Sequence, residues 1–325
     1  METLIIAHRG ANKLAPENTL SAFKKAKEIG ADGIETDVQL TKDGKMVLHH
    51  NYTIDANSNG SGRIDIFSLE ELKKFDFGIC KGEEFKGERI PTLDELFEIA
   101  KDFKVINIEL KAPMDKNIPY VKMVADSVMR SGLSDKIIIS AFDKRLLREM
   151  KKYNPKIRIG ILTWREISRK MLEFLPNDMI INEVTKQDIK LPENKSKLDE
   201  LGANEIEIIS KIWNSVCSKT AVYNGLKIGE IINEMEHQDE PLNYVQQLDF
   251  KVDYVHVPFE KCFENENLVN EMHKRGIGVN VWTPSSEDDL NALLKYDLDG
   301  VITNSPEILI KCRKRNLLDS NLSER

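Results

Sequence analysis

Eight short apolar runs follow one another along the chain: "LIIAH", "GIETDVQL", "VINIEL", "KIIISAF", "IRIGIL", "DYVHVP", "IGVNVWT" and "DGVITN". Helical patterns alternate with these strand-like runs. In "ENTLSAFKKAKEIG", Leu20, Phe23 and Ala26 recur at helical spacing and Gly30 supplies a C-terminal stop. Strand and helix repeating in this way close into a parallel α/β barrel, with a doubly wound open sheet as the alternative. The chain has 325 residues, 41% of them hydrophobic, so it can bury the core of one barrel-sized domain, 1–325, or of two smaller ones.

The rhythm breaks at 165–250, which is too long for one crossover and mixes helical patterns with polar stretches such as "KLPENKSKLDE". It reads as a large, mostly helical insertion between the fifth and sixth strands. A ninth strand-like run, "DMIIN", lies within it and leaves the register of the sixth barrel strand open. Ile228, Ile231, Ile232 and Met235 share one helix face there, the spacing of a stripe that packs. The polar tail after Cys312, "RKRNLLDSNLSER", reads as frayed. A net charge of −7 argues against nucleic acid or an anionic membrane as the main partner, so a phosphate ligand would need local positive charge. Cys80, Cys217, Cys262 and Cys312 are scattered without a short pair, which suits a reducing compartment. No run approaches the ~18 apolar residues of a membrane span, and no leader pattern follows Met1. A cytoplasmic location without membrane insertion is the expectation.

Side-chain direction supplies the chemistry. Alternate residues of a strand face opposite sides, so Glu35 and Asp37 share one face of "GIETDV" while Ile34, Thr36 and Val38 share the other. In "VINIELK" the same parity groups Asn107, Glu109 and Lys111 against Ile106, Ile108 and Leu110. The apolar faces suit a helix layer, which directs Glu35, Asp37 and Glu109 toward a barrel interior or its C-terminal mouth. Converging buried carboxylates repel unless a cation balances them or one is protonated. Oxygen-only ligands favour Mg²⁺ or Ca²⁺ over zinc. Each acid taken singly would pass as an ordinary polar residue at a strand end; three at matched parity point to a metal.

His8 ends the first strand and His50 follows a turn and a short strand. Two such imidazoles beside a cation could serve as acid and base. His49 falls on the opposite face and has the weaker claim, while His237, His256 and His273 carry no motif. Arg9 and Lys111 are cations at the same mouth, suited either to a phosphate or to pairing with the acids.

The blocks "AHRG" (7–10), "APENTLSAF" (15–23), "GADGIETDVQLTKDG" (30–44), "IPTLDEL" (90–96), "NIELK" (107–111) and "DGVITNSP" (299–306) together resemble the glycerophosphodiester phosphodiesterase family, in that family's order. The resemblance spans roughly 4–162 and 253–309. It implies a TIM (β/α)8 barrel with a small insertion at 52–89 and an active site at the C-terminal face. It further implies that Glu35, Asp37 and Glu109 bind one divalent cation, that His8 and His50 are the acid/base pair, that Arg9 and Lys111 contact phosphate, and that Trp282 lines the substrate groove. The reaction would be hydrolysis of a small glycerophosphodiester, such as glycerophosphocholine or glycerophosphoethanolamine, in lipid and glycerol metabolism. The sequence departs from the family where Asn51 replaces the usual aspartate, where Thr283-Pro284-Ser285 follows Trp282, and across 165–250. Rival readings are a lysophospholipase D with the insertion as an apolar cap, and a catalytically silent barrel that binds phosphodiesters.

Overall fold

The computed structural model describes residues 2–115, 117–164 and 228–323. The strands in chain order are β1 (Leu4–Ala7), β2 (Gly33–Leu40), β3 (Met46–Leu48), β4 (Val105–Leu110), β5 (Ile137–Ala141), β6 (Arg158–Leu162), β7 (Tyr254–Pro258), β8 (Gly278–Trp282) and β9 (Gly300–Thr303). All but β3 are parallel, and each coincides with one of the eight apolar runs. Because β1 pairs with β2 on one side and with β9 on the other, the sheet closes. That closure excludes the open doubly wound sheet. The short β3 adds antiparallel to the end of β2.

Every residue of β2 is buried, as expected of a strand covered by helices outside and by the barrel interior inside. The interior is filled by pairing large side chains with glycines on neighbouring strands. A Cβ on Gly33 would lie 2.3 Å from Val105 Cγ1, and one on Gly160 would lie 2.3 Å from His256 Nε2. Ile6, Val105, Ile138 and Ile302 form an interior cluster, with Leu4, Tyr254 and Trp282 packed against it.

Helix ends follow local sequence chemistry. Thr19 caps α1 (Leu20–Glu28) by accepting from the Ala22 N–H, and Phe23 and Ala26 are buried on the face that their spacing marks. Gly30 closes the helix at φ +87°, a conformation that favours glycine. Between β3 and the next long helix, 52–89 holds two short 3-10 turns and α2 (Leu69–Leu72), with Ser68 and Glu71 forming a capping box. Ile54, Ile64, Leu72 and Phe77 pack there with Val47 and Ile90. The barrel helices α3 (Leu93–Ile99), α4 (Tyr120–Ser131) and α5 (Lys144–Tyr153) follow.

The chain divides into two compact units, Met1–Leu162 with Phe250–Arg325, and Thr163–Asp249. In the second, α6 (Ile228–Gln238) and α7 (Pro241–Gln247) are described, so the segment between the fifth and sixth barrel strands is helical where it can be read. Ile231 and Met235 are buried and Ile232 half-buried, consistent with a packing stripe. The run "DMIIN" lies outside the described residues. The tail corrects the expectation of fraying: α11 (Pro306–Ser323), which follows the shorter helices α8 (Glu260–Glu264), α9 (Leu268–Lys274) and α10 (Glu287–Leu293), continues well past Cys312. No glycine or proline interrupts it after Pro306, and Arg313 anchors it through Asp32 at 2.8 Å. Among the described residues, no helix is long and apolar enough to cross a membrane.

Candidate active site

The parallel register of β2 and β4 sets Glu35 opposite Asn107 and Asp37 opposite Glu109. Oxygens from Glu35, Asp37 and Glu109 thereby come within 4.8 Å of one another, in the grouping that strand parity anticipates. Glu35 and Asp37 are buried, and the Glu109 side chain is 13% exposed.

Two cations enter this cluster. Lys111 Nζ lies 2.8 Å from Asp37 Oδ1 and 2.6 Å from Glu109 Oε1. Arg9 donates its backbone N–H to Glu35 Oε2 at 2.9 Å, and its Nε lies 3.5 Å from Asp37 Oδ2. The Arg9 guanidinium is shared with Glu17, 3.1 Å away. Arg9 sits at φ +54° and Gly10 at φ +76°, so the chain reverses sharply after β1 and turns the Arg9 N–H inward. A non-glycine residue held at such a φ is a strained feature of the kind concentrated at functional sites. Gly10 has a second constraint, since a Cβ there would meet the Ala22 carbonyl carbon at 2.7 Å.

Both histidines are anchored through Nδ1. His8 Nδ1 is 2.6 Å from Asn304 Oδ1, and His50 Nδ1 is 2.8 Å from Asn51 Oδ1. Asn12 also donates to Asn304 Oδ1, which marks that oxygen as an acceptor and assigns the proton of His8 to Nδ1. His8 Nε2 is then turned to the acids, 3.8 Å from Glu35 Oε2. His49 faces elsewhere: it is buried, with Nδ1 on the Asn51 carbonyl at 2.8 Å and its ring edge-on to Phe77. Strand alternation does not make this distinction, because β3 ends at Leu48. The irregular 49–51 segment is instead held by Gln39, whose Nε2 lies 2.7, 3.3 and 2.8 Å from the carbonyl oxygens of His49, His50 and Asn51.

Three residues outside the sequence-derived set therefore shape the site: Gln39, Asn304 and Asn18. Asn18 donates to Asp37 Oδ2 at 2.8 Å and accepts from Thr36 Oγ1 at 2.7 Å, which fixes the Asp37 carboxylate. All three lie within the blocks quoted above or directly in line with them, but their side-chain targets depend on backbone turns that spacing does not encode. Trp282 is half-buried at the end of β8, with Nε1 donating to the His256 carbonyl at 3.1 Å and its ring edge-on to Phe142. Structural packing thus accounts for these Trp282 contacts.

The electrostatics follow the same geometry. Burial and the neighbouring charges of Asp37 and Glu109 push the Glu35 carboxyl well above its usual range. Burial opposes charge on Asp37 too, but Lys111, His50 and Arg9 hold it well below the usual carboxylate range. Burial and the Arg9 charge lower His8 to about 3, and the same two causes lower His50. With all three carboxylates ionised, two cations, one of them shared with Glu17, would leave an excess of buried negative charge, and the raised Glu35 carboxyl reflects that imbalance. A hard divalent cation fits that donor set of oxygens.

A family model for the glycerophosphoryl diester phosphodiesterase family matches residues 8–184 and 171–308. The chain belongs to this family. It is similar to a glycerophosphodiester phosphodiesterase of Caldanaerobacter subterraneus, 49% identical over 164 residues, which are 50% of this chain and 67% of that one. It is also similar to one of Bacillus subtilis, 24% identical over 320 residues, covering 96% of this chain and 86% of that one. Among solved structures, the enzyme of Thermotoga maritima superposes with a TM-score of 0.59 at 25% identity, covering 96% and 98% of the two chains. A phosphodiesterase of Oleispira antarctica in complex with the product sn-glycerol-3-phosphate gives a TM-score of 0.62 at 22% identity, covering 96% and 97%. The chain is a phosphoric diester hydrolase of barrel fold, and its acidic triad could hold a divalent metal.

Proposed function

We propose that the chain hydrolyses small glycerophosphodiesters, such as glycerophosphocholine or glycerophosphoethanolamine, to glycerol 3-phosphate and an alcohol. The observation that carries this reading is the pairing of two asparagine-anchored imidazoles, His8 and His50, with the triad of Glu35, Asp37 and Glu109. Mg²⁺ or Ca²⁺ held by the triad would polarise a phosphoryl oxygen and lower the pKa of a bound hydroxyl or water.

The remaining steps belong to side chains. Arg9 and Lys111 already face the acids and supply the positive charge that an otherwise acidic protein needs to hold a phosphate. With each Nδ1 proton committed to an asparagine oxygen, His8 and His50 both present Nε2 for proton transfer. One, neutral, takes the proton of the attacking hydroxyl at Nε2 as the new P–O bond forms; the other, entering the step as imidazolium, delivers its Nε2 proton to the leaving alcohol oxygen as the old P–O bond breaks. Asn51 holds His50 by a hydrogen bond but brings no charge, so it orients the ring and favours imidazolium through that hydrogen bond alone.

The test is product identity. Purified protein incubated with glycerophosphocholine and either cation should release glycerol 3-phosphate and choline in equal amounts. Release of choline phosphate and glycerol would place the cleavage on the other P–O bond and overturn the reading. A silent phosphodiester-binding barrel would release neither pair.

A further inference from the structure

Tyr52 stands two residues after His50, where the irregular 49–51 segment enters the 52–89 segment. Its side chain reaches the other half of the site: the hydroxyl donates to the Ala112 carbonyl at 3.0 Å. Ala112 is one residue beyond Lys111 and three beyond Glu109, past the end of β4 at Leu110. The bond thus joins two stretches 60 residues apart in the chain, one carrying an imidazole and the other a carboxylate of the triad. The backbone is held as well, since the Tyr52 carbonyl accepts from the Ile64 N–H at 3.0 Å.

Gln39, Tyr52 and Lys111 line one cavity of about 200 Å³, so the three groups are neighbours. Gln39 ties the carbonyls of 49–51 to β2. Lys111 ties the end of β4 to Asp37 on β2 at 2.8 Å. Tyr52 supplies the remaining link, from the His50 segment directly to the end of β4. Burial, with the charges of Glu109, Asp143 and Asp37, pushes the phenol well above its usual range, so it keeps its proton and remains a donor.

From this geometry we infer that Tyr52 is a positioning residue, whose hydroxyl fixes where the His50 imidazole stands relative to Glu109 and Lys111. One neutral hydrogen bond weighs little in the stability of a whole domain. Placement weighs far more in turnover, because a shift of about 1 Å in a catalytic group can cost about 10²-fold in rate. The sequence gives no sign of this role, since Tyr52 belongs to no strand or helix and its partner lies past the end of β4.

The kinetic part of the inference rests on the proposed hydrolysis, and the test separates the two. Tyr52→Phe removes the hydroxyl and keeps the ring. With glycerophosphocholine, kcat should fall by about tenfold or more while KM and the calorimetric affinity for Mg²⁺ stay within about twofold of the parent. The imidazole resonances of His50, followed by NMR without substrate, should shift while those of His237 and His273 stay in place. A kcat within about twofold of the parent, or a loss confined to KM or to Mg²⁺ affinity, would overturn the positioning role. Unmoved His50 resonances would overturn it too. If the parent releases no glycerol 3-phosphate, the hydrolase reading falls, and the His50 resonances alone decide whether Tyr52 places the ring.

Discussion

Gln39→Leu removes the amide that holds the irregular 49–51 segment while keeping a side chain of similar size. Gln39 is buried, and its Nε2 lies 2.7 Å from the His49 carbonyl and 2.8 Å from that of Asn51. The third contact, at 3.3 Å to the His50 carbonyl, is long and is counted as minor. His49 is buried, so its carbonyl is left without the Gln39 donor, whereas the half-buried Asn51 carbonyl can recover water. One unsatisfied buried group costs about 1–3 kcal/mol. At roughly 2–4 °C per kcal/mol for a unit of this size, the melting temperature should fall by roughly 2–12 °C. Turnover should fall much further, because His50 loses the segment that positions it and a general acid or base contributes about 10²–10⁴-fold. The assay is kcat and KM for glycerophosphocholine at saturating cation, with cation affinity from calorimetry and melting followed alongside. A kcat within about twofold of the parent, with the expected loss in melting temperature, would refute the positioning role and leave Gln39 purely structural.

Other expectations follow from the same geometry. His8→Ala and His50→Ala should each lose about 10²–10⁴-fold in turnover while remaining folded, and the double variant should be little worse, since both act in one step. His49→Ala should lose far less turnover; an inactive His49→Ala beside an active His50→Ala would reverse the assignment. Asn304→Ala should lower kcat with little change in KM, because it releases the His8 tautomer without touching the phosphate contacts, and a change confined to KM would contradict this. Stability should depend on His256, which burial lowers from 6.5 to about 3. Between those values the unfolded chain takes up a proton that the folded one refuses. Stability contributed by the neutral ring is therefore complete above about 6.5 and is lost as pH falls, by up to about 1.4 kcal/mol per unit. The urea midpoint should fall less between pH 7 and pH 5 in His256→Gln than in the parent; equal falls would show that His256 is not the group responsible.

The barrel was legible because its signal is periodic. All eight parallel strands coincide with apolar runs, and the parity that separates Glu35 and Asp37 from Ile34 and Thr36 survives folding because pleating enforces it. Residues placed by irregular backbone were not legible. Gln39 looks like any polar residue late in a strand until its carbonyl partners are known, and Asn18 reaches Asp37 only because the chain adopts φ +55° there. The ranking of His50 over His49 rested on strand alternation, a reason that does not hold, since the strand stops before both and hydrogen bonding separates them. The tail was misread because polar composition was taken for fraying, whereas Arg313 finds Asp32 across the sequence.

The central claim is that turnover depends on one divalent cation held by Glu35, Asp37 and Glu109. It is tested by titrating Mg²⁺ and Ca²⁺ into chelator-treated protein and following both heat of binding and glycerol 3-phosphate release, for the parent and for Asp37→Asn. The account predicts a single binding event in the parent, activity that rises with its occupancy, and markedly weaker binding in a folded Asp37→Asn. Full activity in the presence of chelator, or equal cation affinity in parent and variant, would contradict it.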